Sequence, residues 1–184
     1  MQNKNLLLPV VFILLCVVPI DGACPIDVEF ITTNTTVIAA CLYPNARDKD
    51  EQVQAIIEQH GVILYQMDFV LELYGPRNFL ALIYDGEEWI NTNAYLNSKV
   101  NNCFHVLFGY WPMRVYFIAM QDHTKILSCK YAIRALFNLE THSIHMTDTH
   151  EEAVRLAQKI GTADGIACLN NSIPCKLHSN YCVY

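Results

Sequence analysis

The chain has 184 residues, a formal net charge of −6 and a hydrophobic content of 53%. It carries no basic stripe, which argues against a nucleic-acid backbone as its main partner. Its length suits one domain, able to bury about 70% of its unfolded-chain surface.

Lys4 precedes an apolar run over residues 6–18, and the small residues Gly22 and Ala23 follow. This is the anatomy of a secretory signal peptide, and the run is too short for a comfortable membrane span. Residues 1–23 are therefore expected to be removed, leaving a secreted, extracellular or secretory-lumen chain with no stable membrane anchor. Asp21 is unusual near a cleavage site, and it fits badly with a lipoprotein signal ending before Cys24. The cysteines suit an oxidising route. Cys16 belongs to the leader, which leaves Cys24, Cys41, Cys103, Cys129, Cys168, Cys175 and Cys182. An odd set has at least one thiol that is free or pairs between chains. Cys168, Cys175 and Cys182 recur every seven residues without a CxxC, which favours disulfides over zinc. Asn34-Thr35-Thr36 and Asn170-Asn171-Ser172 are glycosylation sequons on that route.

In chain order, residues 35–42, TTVIAACL, read as a central strand because the run is apolar throughout and rich in β-branched residues. Tyr43-Pro44-Asn45 ends it as a turn. A helix fits residues 48–60, with Val53, Ile56 and Ile57 on one face and Gly61 as its stop. Residues 62–70, VILYQMDFV, read as a second strand. Pro76 opens a helix through Phe79, Leu80 and Ile83 towards Tyr84, closed by Asp85-Gly86. Residues 91–102 are polar and asparagine-rich, a loop or a short helix. Residues 113–120, MRVYFIAM, form the clearest buried strand. Helical periodicity over 123–137 places Ile126, Cys129, Ile133, Leu136 and Phe137 together. A short strand over 143–146 leads into a helix with Ala153, Leu156 and Ile160 facing the core. The expected organisation is a leader over 1–23, one domain over 24–160 and a cysteine-containing tail over 161–184. Setting the second helix aside leaves βαββαβ. That predicts an α+β, ferredoxin-like fold, a four-stranded antiparallel sheet with helices on one face.

The chemistry concentrates in residues 141–155, THSIHMTDTHEEAVR, with three histidines and three carboxylates in fifteen residues. Asp148 with Glu151, or Thr149 with Glu152, can start the helix as a capping box. A helix beginning there aims free N–H groups and a positive dipole end at an anion such as phosphate. His145, just before that start, suits a nucleophile or proton carrier because imidazole titrates near neutrality. The plain alternative leaves His142 and His150 solvated and His145 satisfied at a strand end. A metal site from His142, His145, Asp148 and His150 suits zinc or a hard cation. Residues 142 and 145 on a strand face opposite ways, which works against it. Cysteine nucleophile chemistry is disfavoured in an oxidising compartment. The aromatics, Tyr110 and Trp111 included, read as core or rim. The chain contains no GxGxxG, P-loop or GxSxG.

Between about residues 36 and 159 these motifs resemble those of the nucleoside diphosphate kinase family. Ala40-Cys41-Leu42-Tyr43-Pro44-Asn45-Ala46 is similar to the family's first strand and lysine-proline-aspartate-alanine turn. Residues 54–69, QAIIEQHGVILYQMDF, are similar to the helix and strand that follow. Tyr84 and the stretch GEEWI at 86–90 look like the family's nucleotide cleft, and residues 112–120 resemble its third strand. Ile144-His145-Met146-Thr147-Asp148 resembles its hallmark isoleucine-histidine-glycine-serine-aspartate. The resemblance implies that His145 accepts a γ-phosphate from a nucleoside triphosphate such as ATP and passes it to a diphosphate, with Mg²⁺ on the nucleotide. It implies phosphate or nucleotide contacts for Arg134, Tyr84, Trp89 and Asp148, and a homo-oligomer. Several positions depart from the family. Tyr43 stands in place of the catalytic lysine, Met146 of the glycine and His142 of an asparagine. Leu156 stands where a glutamate orients the histidine, a role open to Glu151 or Glu152. Ile90 replaces a base-stacking aromatic, a task open to Trp89, and the family's long loop before the histidine is largely missing. Losing one electrostatic contact in a preorganised site costs about 10²–10³ in rate. The sequence thus implies either weakened phosphotransfer or a silent nucleotide-binding or protein-interaction module on the same fold.

Overall fold

A computed structural model of the chain describes residues 26–33, 36–104, 112–120 and 122–172. The leader, Cys24, the Asn34 sequon, Tyr110, Trp111, Cys175 and Cys182 lie outside the described residues. The elements run α1 (Val28–Thr33), β1 (Val37–Leu42), α2 (Asp50–His60), β2 (Val62–Phe69), α3 (Gly75–Ile83), α4 (Asn93–Phe104), β3 (Met113–Ala119), α5 (His123–Phe137), β4 (Ile144–Met146), α6 (His150–Ile160) and α7 (Ala163–Asn171). Among the described residues no helix is long and apolar enough to cross a membrane.

The strands form an antiparallel sheet in the order β2-β3-β1-β4. This α+β arrangement is consistent with the split βαβ pattern expected from the element order. All six residues of β1 are buried, as its unbroken apolar run requires. Ile38, Ala40 and Leu42 join Tyr116, Ile118, Ile144 and Met146 in one core, closed by Val53 and Ile57 of α2 and Ile126, Cys129 and Ile133 of α5. Val37, Ala39, Cys41 and Tyr43 face the other way, towards Phe79 and Leu80 of α3, Leu96 of α4, Leu156 of α6 and Leu169 of α7. Helices therefore cover both faces, not one. A central strand that is apolar on both sides would otherwise expose half its side chains to water.

The expected helix starts hold where side chains can cap. Thr149 Oγ1 accepts from the Glu152 N–H at 3.2 Å, and Asp122 from the Thr124 N–H at 2.8 Å. The stretch over 91–102 differs. It is a 12-residue helix, α4, which buries Leu96 and Cys103 seven residues apart. Its asparagines mark the solvent side instead of breaking the helix. The tail also begins as structure, since α7 buries Leu169 and docks on α3. The Asn78 amide donates to Leu169 O at 2.7 Å and Ser172 O at 2.8 Å. The amide of the second sequon, Asn170, accepts from the Glu72 N–H at 2.9 Å. In the folded chain that oxygen sits where a Cβ on Gly75 would be, so this helix start takes glycine.

Candidate functional site

His145 occupies the middle of β4, opposite Cys41 on β1. The short β4 is tied to its neighbour beyond both ends. Tyr43 N–H donates to Ser143 O at 3.0 Å, Thr147 N–H to Ala39 O at 2.9 Å, and Ala39 N–H to Thr147 Oγ1 at 2.9 Å. Because β4 is the sheet edge, side chains from α5 can reach past it. Lys130 of α5 pairs with Asp148 at 3.2 Å.

Around the imidazole the aromatics close up. Tyr84 meets His145 edge to face with ring centroids 4.7 Å apart, and Trp89 meets Tyr84 in the same manner at 4.8 Å. The hydroxyls of Tyr43 and Tyr84 lie 3.3 Å apart. His145 is only 8% exposed, and its Nε2 is buried without a hydrogen-bond partner. Burial drives its pKa down to about 3, Lys130 adds to this, Asp148 opposes it, and Lys99 and Arg134 contribute further. The imidazole is neutral at physiological pH. Burial likewise pushes Tyr84 up to about 12 and Tyr43 well above its ordinary value, so both phenols keep their protons.

The structure thus brings Tyr84 into direct contact with His145, and Trp89 into contact with Tyr84. Arg134 and Asp148 both act on His145 electrostatically. The Arg134 Nε is buried and unpartnered. Asp148 is exposed and bound to Lys130, with its N–H on the Glu152 carboxylate at 2.9 Å. Glu152 is thereby spent on the helix start. Glu151 is held below the usual carboxylate range by backbone and Thr149 contacts at the same place. Leu156 belongs to the core. Among the described residues no cluster of three or more metal-ligating side chains forms. The His150 Nδ1 instead lies 3.3 Å from Val37 O, and the His142 Nε2 lies 3.5 Å from the Asn102 amide.

The free thiols Cys41, Cys103 and Cys129 are all buried. Burial raises each pKa, to about 12 for Cys103 and about 11 for Cys129, so none is a thiolate at neutral pH. A separate shallow cleft between α3 and α6, lined by Leu82, Ile83, Thr147, Glu152, Arg155 and Leu156, has room for about one water.

Sequence reasoning missed Lys99 and Lys130. Lys99 Nζ lies 5.9 Å from the Tyr43 ring and 5.6 Å from the Tyr84 ring. It is the sole basic residue between positions 91 and 102 and stands three after Leu96 and four before Cys103. That helical spacing is the signal that would have found it. The loop carrying residues 138–142 holds two non-glycine residues in the left-handed region, Asn138 at φ 53° and Glu140 at φ 48°. It presents Thr141 O to Lys99 Nζ at 2.5 Å. Asn138 is the left-handed cap that ends α5, its N–H on Arg134 O.

The chain matches no protein-family model and no curated protein.

Proposed function

We propose that this chain is a secreted, divergent nucleoside diphosphate kinase-like protein that binds nucleotide phosphates at the His145 cluster. The observation that carries this reading is the buried, neutral imidazole with an unpartnered Nε2, set among Tyr43, Tyr84 and Arg134. It falls at residues 144–148, the stretch that resembles the family's hallmark motif, in a sheet whose strand order is consistent with a ferredoxin-like arrangement. A neutral imidazole keeps the lone pair that attack on phosphorus needs. As the N–P bond forms, the bond from the γ-phosphorus to the bridging oxygen breaks and the nucleoside diphosphate leaves with the electron pair. An acceptor diphosphate oxygen then attacks the phosphohistidine, and His145 is released neutral. On this reading Arg134, whose charge is felt at His145, meets the phosphoryl charge.

Two features slow that reaction. Tyr43 supplies no cation, and Tyr84, backed by Trp89, packs against the imidazole, so the Tyr84 ring must move before a nucleotide reaches it. Each lost contact costs about 10²–10³ in rate. The described residues offer Mg²⁺ no ligand set of their own, so the ion would arrive held by the nucleotide's phosphates. The burial of His145 favours a second reading, a catalytically silent module on the same fold. Secretion, disulfides, glycosylation and a homo-oligomer complete the proposal.

The test is incubation of the secreted protein with γ-labelled ATP and Mg²⁺ beside His145→Ala. Acid-labile, base-stable label lost in the variant supports phosphotransfer. A nucleotide-dependent rise in melting temperature without label supports the silent binder. Neither label nor shift sinks both.

A further inference from the structure

Helix α4 is the unexpected contributor to the site. Among the described residues neither Lys99 nor Arg134 has a carboxylate within ion-pair distance, whereas Lys130 is neutralised by Asp148. Burial pushes the Lys99 ammonium below its ordinary range, Cys103 opposes this and Arg134 adds to it. Two half-buried cations thus stand near a neutral histidine and two protonated tyrosines. Among the described residues no carboxylate pairs with either of them. An anion bridging them would relieve the repulsion and the desolvation together. Two buried nitrogens, His145 Nε2 and Arg134 Nε, have no partner. Among the described residues the cluster therefore holds two cations, one of them with an unpartnered guanidinium N–H, and no carboxylate to accept from them.

We propose that Lys99 takes over the positive charge that β1 lacks at Tyr43, and that Lys99 and Arg134 together bind the terminal phosphate of a nucleotide beside His145. This rests on the nucleotide-phosphate reading above and deepens it by naming the cation and the polyphosphate end as the part recognised. The charge arrives from α4, on the far side of the tyrosine pair, instead of from the turn after β1. The loop after α5 holds it by presenting Thr141 O to the ammonium. An ammonium with three donors can keep that carbonyl and still give two hydrogen bonds to phosphate oxygens.

Calorimetric titration of the full secreted chain with pyrophosphate, ADP and adenosine would test this, comparing wild type with Lys99→Met, Lys99→Arg and, as a basic control outside the cluster, Arg155→Met. Lys99→Met should weaken pyrophosphate and ADP by about tenfold or more while leaving adenosine unchanged, since a charge-assisted hydrogen bond to phosphate is lost. Lys99→Arg should retain most of the affinity, and Arg155→Met all of it. Wild type that binds ADP no better than Lys99→Met does would overturn the role of Lys99 while leaving the nucleotide reading intact. Equal loss for adenosine and pyrophosphate would make Lys99 a structural residue and overturn the proposal. Wild type that binds none of the three would overturn the proposal and the reading beneath it.

Discussion

Two charge clusters sit at the same end of the sheet on opposite faces, and they are built in opposite ways. On the face of Leu42, Arg47 and Arg114 meet Asp50 and Asp68 in a closed set of ion pairs between 2.7 and 3.2 Å. Arg47 completes its fork on Pro112 O at 2.6 Å. Each guanidinium is matched by carboxylates, and the set locks the start of α2 to β2 and β3. Around His145, which lies opposite Cys41, neither Lys99 nor Arg134 has a carboxylate and His145 Nε2 has no partner among the described residues. A matched network specifies a structure, whereas an unmatched one is retained at a cost to stability. Natural proteins tolerate that cost mainly where a ligand completes the set.

The largest expected effect breaks the matched cluster. Arg47→Ala should cost about 3 kcal/mol, because it leaves Asp50 and Asp68 to share Arg114 and strands a carbonyl at Pro112. Urea unfolding would check it, and a loss below about 1 kcal/mol would mean that solvent already screens the network.

A second prediction separates the faces by pH. The unfolded imidazole binds its proton near pH 6.5, while His145 in the folded chain does so only near pH 3. Between those values the unfolded chain holds more protons, so stability is full above pH 6.5 and falls as the solution is acidified. At pH 5 the loss from His145 is about 2 kcal/mol. His142, lowered chiefly by burial and then by Lys99, contributes in the same direction. Denaturation midpoints at pH 7 and pH 5 should converge in His145→Gln relative to wild type. An unchanged slope would place His145 in contact with water.

The smallest effect sharpens the contrast within the aromatic closure. Tyr43→Phe removes the hydroxyl facing Tyr84 at 3.3 Å and should cost about 1 kcal/mol, far less than opening the matched cluster. Thermal melts would read it, and a gain in stability would mean that the two hydroxyls are strained by their closeness.

Much of this frame was legible before any coordinates. The strands β1, β2 and β3 announced themselves through apolar runs bounded by turn residues, and α2, α5 and α6 through period, caps and stops. His145 was legible because its motif is local, and Tyr84, Trp89, Arg134 and Asp148 were tied to it by resemblance. The misses share one cause. Helix α4 was legible only as one of two alternatives, a loop or a short helix, because its buried face consists of few residues, and α7 hid behind cysteines in the tail. Lys99 could be counted but not placed.

The sequence by itself determined which segments become strands and helices, because backbone period, capping and turn chemistry act over a few neighbouring residues. Only the tertiary structure decided that both sheet faces are covered. It also decided that β4 forms an edge with α5 reaching past it, and that Lys99, Arg134 and Lys130 gather around one histidine. Those outcomes sum over contacts between residues tens of positions apart. A side chain's burial, its pKa and its want of a counter-ion are properties of that sum.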